Sequence, residues 1–198
     1  MNKKIKTAIL ISGKGSNMKA LIEVCKNQNF PAQIDLVIAN KAQAPGLLFA
    51  RECAIKTVVI EHQNYRDREL FDQEIDKVLQ ENAIELVCLA GFMRVLGVDF
   101  VKKWSQRLIN IHPSLLPNFK GANAIVDALN AKAKITGCTT HFVNEFVDSG
   151  EIILQDQVII EKDDNFEKLS QKIHRLEHKI YPQTLKIVCD KLLKNNIK

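Results

Sequence analysis

Short apolar runs alternate with amphipathic stretches along the first part of the chain, and this alternation predicts an α/β protein. The apolar runs are rich in isoleucine, valine and leucine, which is typical of strands buried on both faces of a parallel sheet. The stretches between them carry apolar residues three and four positions apart, as amphipathic helices do. Because 198 residues can bury one good core, we expect a single domain over 1–198.

The first half of the chain predicts nine alternating elements. Strands are expected at residues 5–12, 33–39, 57–61, 86–90 and 107–112. Helices are expected between them at residues 17–27, 45–54, 65–82 and 98–103. This order is typical of a doubly wound sheet with helices packed on both faces.

The second half has a different pattern. After a short helix at 124–131, residues 136–143 and 151–160 predict two longer strands joined through Asp148-Ser149-Gly150 and antiparallel to one another. A closing helix is expected at about 165–193, and Pro182 is expected to bend or restart it. The predicted fold is thus one doubly wound, Rossmann-like, mostly parallel sheet with an antiparallel C-terminal extension.

Composition limits the classes of function. The net charge of +5 is mild and the basic residues are interleaved with acids, so we expect no nucleic-acid partner and favour an anionic small molecule. Five widely spaced cysteines lack the paired spacing of a zinc site, so we expect reduced thiols and no metal. No apolar run is long enough for a membrane span or a secretory signal, which predicts a cytoplasmic protein.

Residues 108–117 place an amide and an imidazole two positions apart at the end of an apolar run. A residue before proline favours extended geometry, so His112 should still lie in the strand and share a face with Asn110. The amide can stabilise a developing oxyanion and the imidazole titrates near neutrality, which points to acyl transfer. The alternative is that Asn110 caps a turn and His112 is a hydrogen-bonded rim residue.

Two loops complete the candidate site. In Ser12-Gly13-Lys14-Gly15-Ser16-Asn17, two glycines let backbone amides approach a single phosphate at a helix N-terminus; a plain tight turn is the alternative. The spacing of this loop favours neither ATP nor NAD. In the apolar loop at 89–97, Met93, Val95 and Leu96 could contact a flat heterocycle, or the loop could simply dock on a neighbouring segment.

Five motifs together resemble the glycinamide ribonucleotide formyltransferases, the folate-dependent enzymes of purine synthesis. They are ISGKGSN at 11–17, LAGFMRVL at 89–96, NIHPSLLP at 110–117, HFVNEFVDSGEIILQ at 141–155 and LEHKIYP at 176–182. The resemblance covers nearly the whole chain. It implies transfer of a formyl group from the co-substrate 10-formyltetrahydrofolate to the amine of the small-molecule substrate glycinamide ribonucleotide, without a metal.

The resemblance also implies a role for each part of the site. It assigns the substrate phosphate to Gly15, Ser16 and Asn17, and the formyl group to Asn110, His112 and Asp148. The residues that it assigns to the folate are Arg68, Met93, Arg94, Val95, Leu96 and Asn110. Glu177 matches an acid that contacts the substrate ribose. Simple turn or solvated-charge roles are the alternatives for Asp148, Arg68 and Glu177.

The implied division of labour places phosphate binding in a half at about 1–105 and catalysis with folate binding in a half at about 106–198. One departure from the family lies at residues 121–126, where a histidine is often found and this chain has none. We expect that change to affect loop contacts at 123–125 more than chemistry. His174 shares a helix face with Glu177 and could face the phosphate.

In the expected mechanism the substrate amine attacks the formyl carbon. Asn110 and protonated His112 stabilise the oxyanion, and Asp148 stabilises the imidazolium. Methionyl-tRNA formyltransferase and formyltetrahydrofolate deformylase share the NIHPSLLP motif, but each is expected to carry a further domain for which this chain has no room. A formyltetrahydrofolate hydrolase or a non-catalytic phosphosugar or folate sensor is the remaining alternative, and we expect a monomer or a homodimer.

Overall fold

A single seven-stranded sheet organises the computed structural model, which describes residues 3–195. The strands are β1 (Ile5–Ile11), β2 (Ala32–Ala39), β3 (Lys56–Val59), β4 (Leu86–Leu89), β5 (Leu108–His112), β6 (Ile135–Phe142) and β7 (Ile152–Ile159). They lie in the order β3-β2-β1-β4-β5-β6-β7. Pairs from β3 to β5 are parallel, whereas β5 with β6 and β6 with β7 are antiparallel, which confirms the predicted fold class.

Helices cover both faces of the sheet. They are α1 (Ser16–Cys25), α2 (Gly46–Glu52), α3 (Arg68–Glu81), α4 (Val98–Lys103), α5 (Ala124–Asn130) and α6 (Phe166–Asn195). Successive side chains of a strand point to opposite faces. Ile9 and Ile11 therefore pack into a core with α1 and α6, while Ala8 and Leu10 pack into a second core with α3 and α4. This explains why the β1 segment is apolar at nearly every position.

The third helix begins later than the sequence predicts. The periodicity predicts a start at residue 65, but a 3-10 turn occupies 62–64 and α3 begins at Arg68. Asp67 is extended and its side chain accepts a hydrogen bond from the Leu70 N–H at 3.0 Å. An aspartate in this geometry caps the first free amides of a helix, and so it sets the start of α3.

The expectation that Pro182 restarts the closing helix is wrong, because α6 continues through it from Phe166 to Asn195. Proline removes one backbone hydrogen bond from a helix interior. Here the neighbouring Tyr181, Thr184 and Leu185 are fully buried against the rest of the protein. Tertiary packing therefore outweighs the local cost of the proline.

The strand order reverses between β1 and β4, and this reversal creates the position for a site. The chain moves outward from β1 to β2 and β3, then returns to add β4 and β5 on the other side of β1. Ligands of open α/β sheets bind at the carboxyl ends of strands where the order reverses. At this point the Ser12 N–H, after β1, donates to the Gly91 carbonyl, after β4, at 3.1 Å.

Tyr181 joins α6 to the middle of the sheet. Its buried hydroxyl lies 2.9 Å from the Leu89 carbonyl oxygen and 3.2 Å from that of Ile109, so it can donate to either strand. We expect Tyr181→Phe to lower the free energy of unfolding by about 1–2 kcal/mol, because the carbonyls lose a buried donor. Urea denaturation of the two proteins measures this difference.

The chain's other tyrosine provides the control for this prediction. Tyr65 contacts Phe71 edge to face, with ring centroids 5.8 Å apart, and Tyr65→Phe keeps that contact. It should change the unfolding free energy less than Tyr181→Phe does. Equal losses in the two variants would show that the hydroxyl of Tyr181 contributes no specific bond.

Candidate active site

A cavity of about 760 Å³ opens at the carboxyl ends of β1, β4 and β5. The predicted site residues that line it are Gly15, Ser16, Asn17, Met93, Arg94, Val95, Leu96, Asn110, His112, Asp148 and Glu177. They come from segments that are far apart in sequence. The fold therefore brings the glycine-containing loop at 12–17, the apolar loop and the amide–imidazole pair to one continuous space.

Arg68 is the predicted site residue that lies outside this cavity. As the first residue of α3, it lines a neighbouring cavity of about 370 Å³ together with Asp72 and Gly97. Its Nη2 atom lies 3.6 Å from Glu69 Oε1, in a half-exposed ion pair. A contact of Arg68 with the folate remains a prediction.

Asp148 is the centre of the polar end of the cavity. It adopts a left-handed backbone conformation, with φ of 48°, and its side chain is 11% exposed. One carboxylate oxygen lies 3.3 Å from His112 Nδ1 and accepts from the Gly121 N–H at 2.8 Å, and the other lies 3.7 Å from His141 Nε2. Burial opposes the charge, but the His141 and Gly121 donors and the His112 charge outweigh it and lower the pKa of Asp148.

His112 has hydrogen-bond acceptors at both ring nitrogens. Besides Asp148 at Nδ1, the Phe119 carbonyl oxygen lies 2.8 Å from Nε2. A carbonyl and an ionised carboxylate only accept, so both contacts are satisfied when the ring carries two protons and a positive charge. The protonated form of His112 in the mechanism stays a prediction. Phe119 must release Nε2 before that nitrogen can donate to a ligand.

His141 is a buried site residue that the sequence analysis missed. Its Nδ1 lies 2.8 Å from the Phe142 carbonyl, and its Nε2 lies 3.3 Å from Asn110 Nδ2. The antiparallel register of β5 and β6 pairs Asn110 directly with His141, so their side chains meet on one face. His141 is part of the HFVN motif, but only the strand register shows that its side chain lies beside Asn110.

Another part of the cavity is lined by residues 13–17, the loop that the sequence predicts to bind a phosphate. Gly15 has φ of 69° directly before α1, and a Cβ atom there would lie 2.9 Å from the Met18 side chain. This left-handed glycine lets the first amides of α1 face the cavity. The Gly46 N–H donates to the Gly13 carbonyl at 3.1 Å and supports the loop from below, and Lys14 adds a positive charge beside it.

Glu177 lies beside the anion loop and is only 4% exposed. Asn17 Nδ2 donates to Glu177 Oε2 at 2.9 Å. Burial raises the pKa of Glu177 to about 7, although the Asn17 bond acts in the other direction. His174, one turn earlier on α6, lines the same cavity, and burial together with the Lys14 charge lowers the pKa of His174.

Two pairs of exposed apolar side chains form walls of the cavity. Met93 and Val95 are 62% and 57% exposed on one wall. Phe146 and Val147, which the sequence analysis did not single out, are 67% and 51% exposed on the other. Leu96 differs from the expectation of an exposed loop, because it is buried in the core formed with α3 and α4. Leu96 therefore docks on a neighbouring segment, as the alternative interpretation of this loop predicts, although it also lines the cavity.

Two kinds of feature are absent among residues 3–195. No helix of that range is long and apolar enough to cross a membrane. No group of three or more histidine, cysteine, aspartate or glutamate side chains in the same range is arranged to hold a metal ion. The five cysteines are free thiols.

Comparison with known proteins identifies the relatives of this chain. Residues 5–185 match the family model described as "Formyl transferase". The chain is 51% identical over 186 residues to the human trifunctional purine biosynthetic protein adenosine-3. This match covers 94% of the chain but only 18% of the human protein. It is 38% identical over 181 residues to phosphoribosylglycinamide formyltransferase of Bacillus subtilis (strain 168), covering 91% of the chain and 93% of that relative.

Solved structures agree with these sequence matches. A phosphoribosylglycinamide formyltransferase from Anaplasma phagocytophilum superposes with a TM-score of 0.90 at 41% identity, covering 96% of this chain and 88% of the other. The chain thus spans about a fifth of the human relative but nearly all of the bacterial ones. With a match across most of its length, it belongs to the formyl transferase family, and within it to the phosphoribosylglycinamide formyltransferases.

Proposed function

We propose that this chain transfers the formyl group of 10-formyltetrahydrofolate to the amine of glycinamide ribonucleotide. The observation that carries the proposal is the single cavity that joins an anion loop, two apolar walls and the His112–Asp148 pair. These parts match a phosphorylated substrate, a flat heterocyclic co-substrate and a transition state with developing negative charge.

Each ligand has a distinct place in the proposed complex. The substrate phosphate binds the amides of Gly15, Ser16 and Asn17, and Glu177 accepts hydrogen bonds from the ribose hydroxyls. The folate ring lies between the wall of Met93 and Val95 and the wall of Phe146 and Val147, with Arg94 at the same loop. Residues before about 106 thus supply one folate wall, so folate binding is shared by both halves of the chain.

The reaction proceeds through a tetrahedral intermediate. The substrate amine nitrogen forms a bond to the formyl carbon, and the carbonyl electrons move onto its oxygen. Asn110 Nδ2 and His112 Nε2 donate to this oxyanion, which replaces the Phe119 carbonyl as the acceptor at Nε2. The carbon–nitrogen bond to the folate then breaks, and the amine proton passes through His112 or a water to the departing nitrogen.

Asp148 and His141 stabilise and position the residues that contact the reacting atoms. The Asp148 carboxylate stabilises the imidazolium form of His112, and its lowered pKa keeps it ionised in neutral solution. His141 contacts both Asp148 and Asn110, so it fixes the positions of the anion and of the amide.

A direct assay tests the function. The purified chain is mixed with 10-formyltetrahydrofolate, and the folate absorbance is followed with and without glycinamide ribonucleotide. We expect turnover only when the amine substrate is present. Formate release at the same rate without it would indicate a hydrolase, and binding of both ligands without turnover would indicate a sensor.

If Asn110, His112 and Asp148 act together, their substitutions should lower kcat non-additively. His112→Ala and Asn110→Ala should each lower kcat by about a hundredfold or more while folate binding persists, because each variant removes one oxyanion donor. The double variant should be little slower than the slower single variant, since both residues act on one transition state. Asp148→Asn should move the alkaline limb of the pH–rate profile to lower pH.

Steady-state kinetics and calorimetry with a folate analogue measure these effects. His178→Ala is the control, because this histidine lies on α6 but does not line the cavity. Its kcat should stay close to that of the wild type. Small, additive losses of kcat at Asn110, His112 and Asp148 would show that these residues are not the catalytic group.

Glu177 predicts a pH-dependent stability of the ligand-free protein. The pKa of Glu177 is raised from 4.5 to about 7 in the folded state, so between these values the folded protein holds a proton that the unfolded chain has lost. Stability should therefore fall as the pH rises from 4.5 to 7, by a contribution on the order of 3 kcal/mol. Glu177→Gln should remove this contribution, and urea unfolding at several pH values compares the two proteins. An unchanged pH dependence in the variant would contradict the buried, protonated state.

A further inference from the structure

Residues 91–97 of the apolar loop form no helix or strand, so contacts with other segments must hold them in place. At its front, Ser12 holds two positions: its N–H donates to the Gly91 carbonyl at 3.1 Å, and its hydroxyl oxygen accepts from the Met93 N–H at 2.8 Å. At its rear, the Gly97 N–H donates to Asp72 Oδ2 at 2.6 Å. Met93 and Val95, which form one wall of the cavity, lie between these two anchors.

The rear anchor comes from a residue outside the main cavity. Asp72 lies on the second turn of α3 and is 5% exposed. Its other oxygen, Oδ1, is buried and has no hydrogen-bond partner among residues 3–195. Burial raises the pKa of Asp72, while the Gly97 donor and the charges of Arg68 and Arg94 act in the opposite direction. A buried carboxyl group with one bond is costly for folding, so packing alone does not explain it.

The aspartate one turn further along α3 provides a contrast. Asp76 Oδ2 binds Lys103 Nζ at 2.6 Å, and Asp76 Oδ1 accepts from Trp104 Nε1 at 3.0 Å. Both of its oxygens are therefore satisfied by side chains that join α3 to the α4 region. Asp72 instead accepts its one hydrogen bond from the backbone N–H of Gly97, where the apolar loop ends and α4 begins.

The contact between Asp72 and Gly97 is also close. A Cβ atom at Gly97 would lie 3.0 Å from Asp72 Oδ2 and 3.6 Å from Arg68 Nε. The glycine therefore lets the backbone approach the carboxylate, and the short bond limits how far this end of the loop can move. The same contact places Arg68 beside the rear of the loop.

We propose that Asp72 is a positioning residue for the folate co-substrate, acting through the Gly97 N–H on the 91–97 loop. This inference rests on the proposed function, because it takes the loop as the folate wall. With the rear anchor removed, the loop samples more conformations and the folate must order it on binding. The substrate phosphate binds to other residues, so its affinity should not depend on this anchor.

Kinetics of Asp72→Ala test the proposal. We expect the KM for 10-formyltetrahydrofolate to rise about tenfold, as for loss of a hydrogen bond to a charged group, with kcat and the KM for glycinamide ribonucleotide changed less than about twofold. Asp72→Asn keeps an oxygen acceptor and should restore the folate KM. Asp76→Ala is the matched control, and it should lower the melting temperature without a selective change in the folate KM.

A second readout keeps the test independent of turnover. Hydrogen exchange of the Gly97 amide should be faster in Asp72→Ala than in Asp72→Asn, and calorimetry should show the same order in affinity for a folate analogue. An equal rise in both KM values, or the same selective effect in Asp76→Ala, would overturn the proposal. If the wild type binds the analogue but shows no formyl transfer, the proposed function fails while the exchange and binding measurements still judge the anchor.

Discussion

The partly buried Asp148 carboxylate makes the contacts on which the polar end of the cavity depends. It is shared by the two histidines at 3.3 Å and 3.7 Å and by the Gly121 N–H at 2.8 Å. These groups come from β5, from β6 and from the segment before α5. In a partly buried environment a carboxylate needs such partners to stay charged. Satisfying this one anion therefore holds three separate segments in register around the cavity.

The reversal of strand order imposes the second constraint. Loops that leave the carboxyl ends of β1 and β4 diverge to opposite sides of the sheet, and the crevice between them becomes the cavity. Ser12, the first residue after β1, makes two hydrogen bonds to the loop that begins after β4: its N–H donates to the Gly91 carbonyl and its hydroxyl accepts from the Met93 N–H. The loop after β1 and the wall formed by Met93 and Val95 are thus joined through one residue, Ser12.

Much of the fold could be predicted because local patterns reflect burial. The strands around Ile9 and Ile109 are apolar on both faces since helices cover both sides of the sheet, and that signal is visible in the sequence. The errors occurred where a tertiary or capping contact decided the outcome. Asp67 delays the start of α3, and the packing around Pro182 keeps α6 continuous.

The sequence by itself determined the fold class, the amide–imidazole pair and the two loops, because each depends on residues close together in the chain. Only the tertiary structure decided which distant groups meet. The antiparallel register pairs Asn110 with His141, the Phe119 carbonyl occupies His112 Nε2, and Arg68 lies outside the main cavity. These contacts depend on strand register and on the packing of whole elements, and neither is encoded in local periodicity.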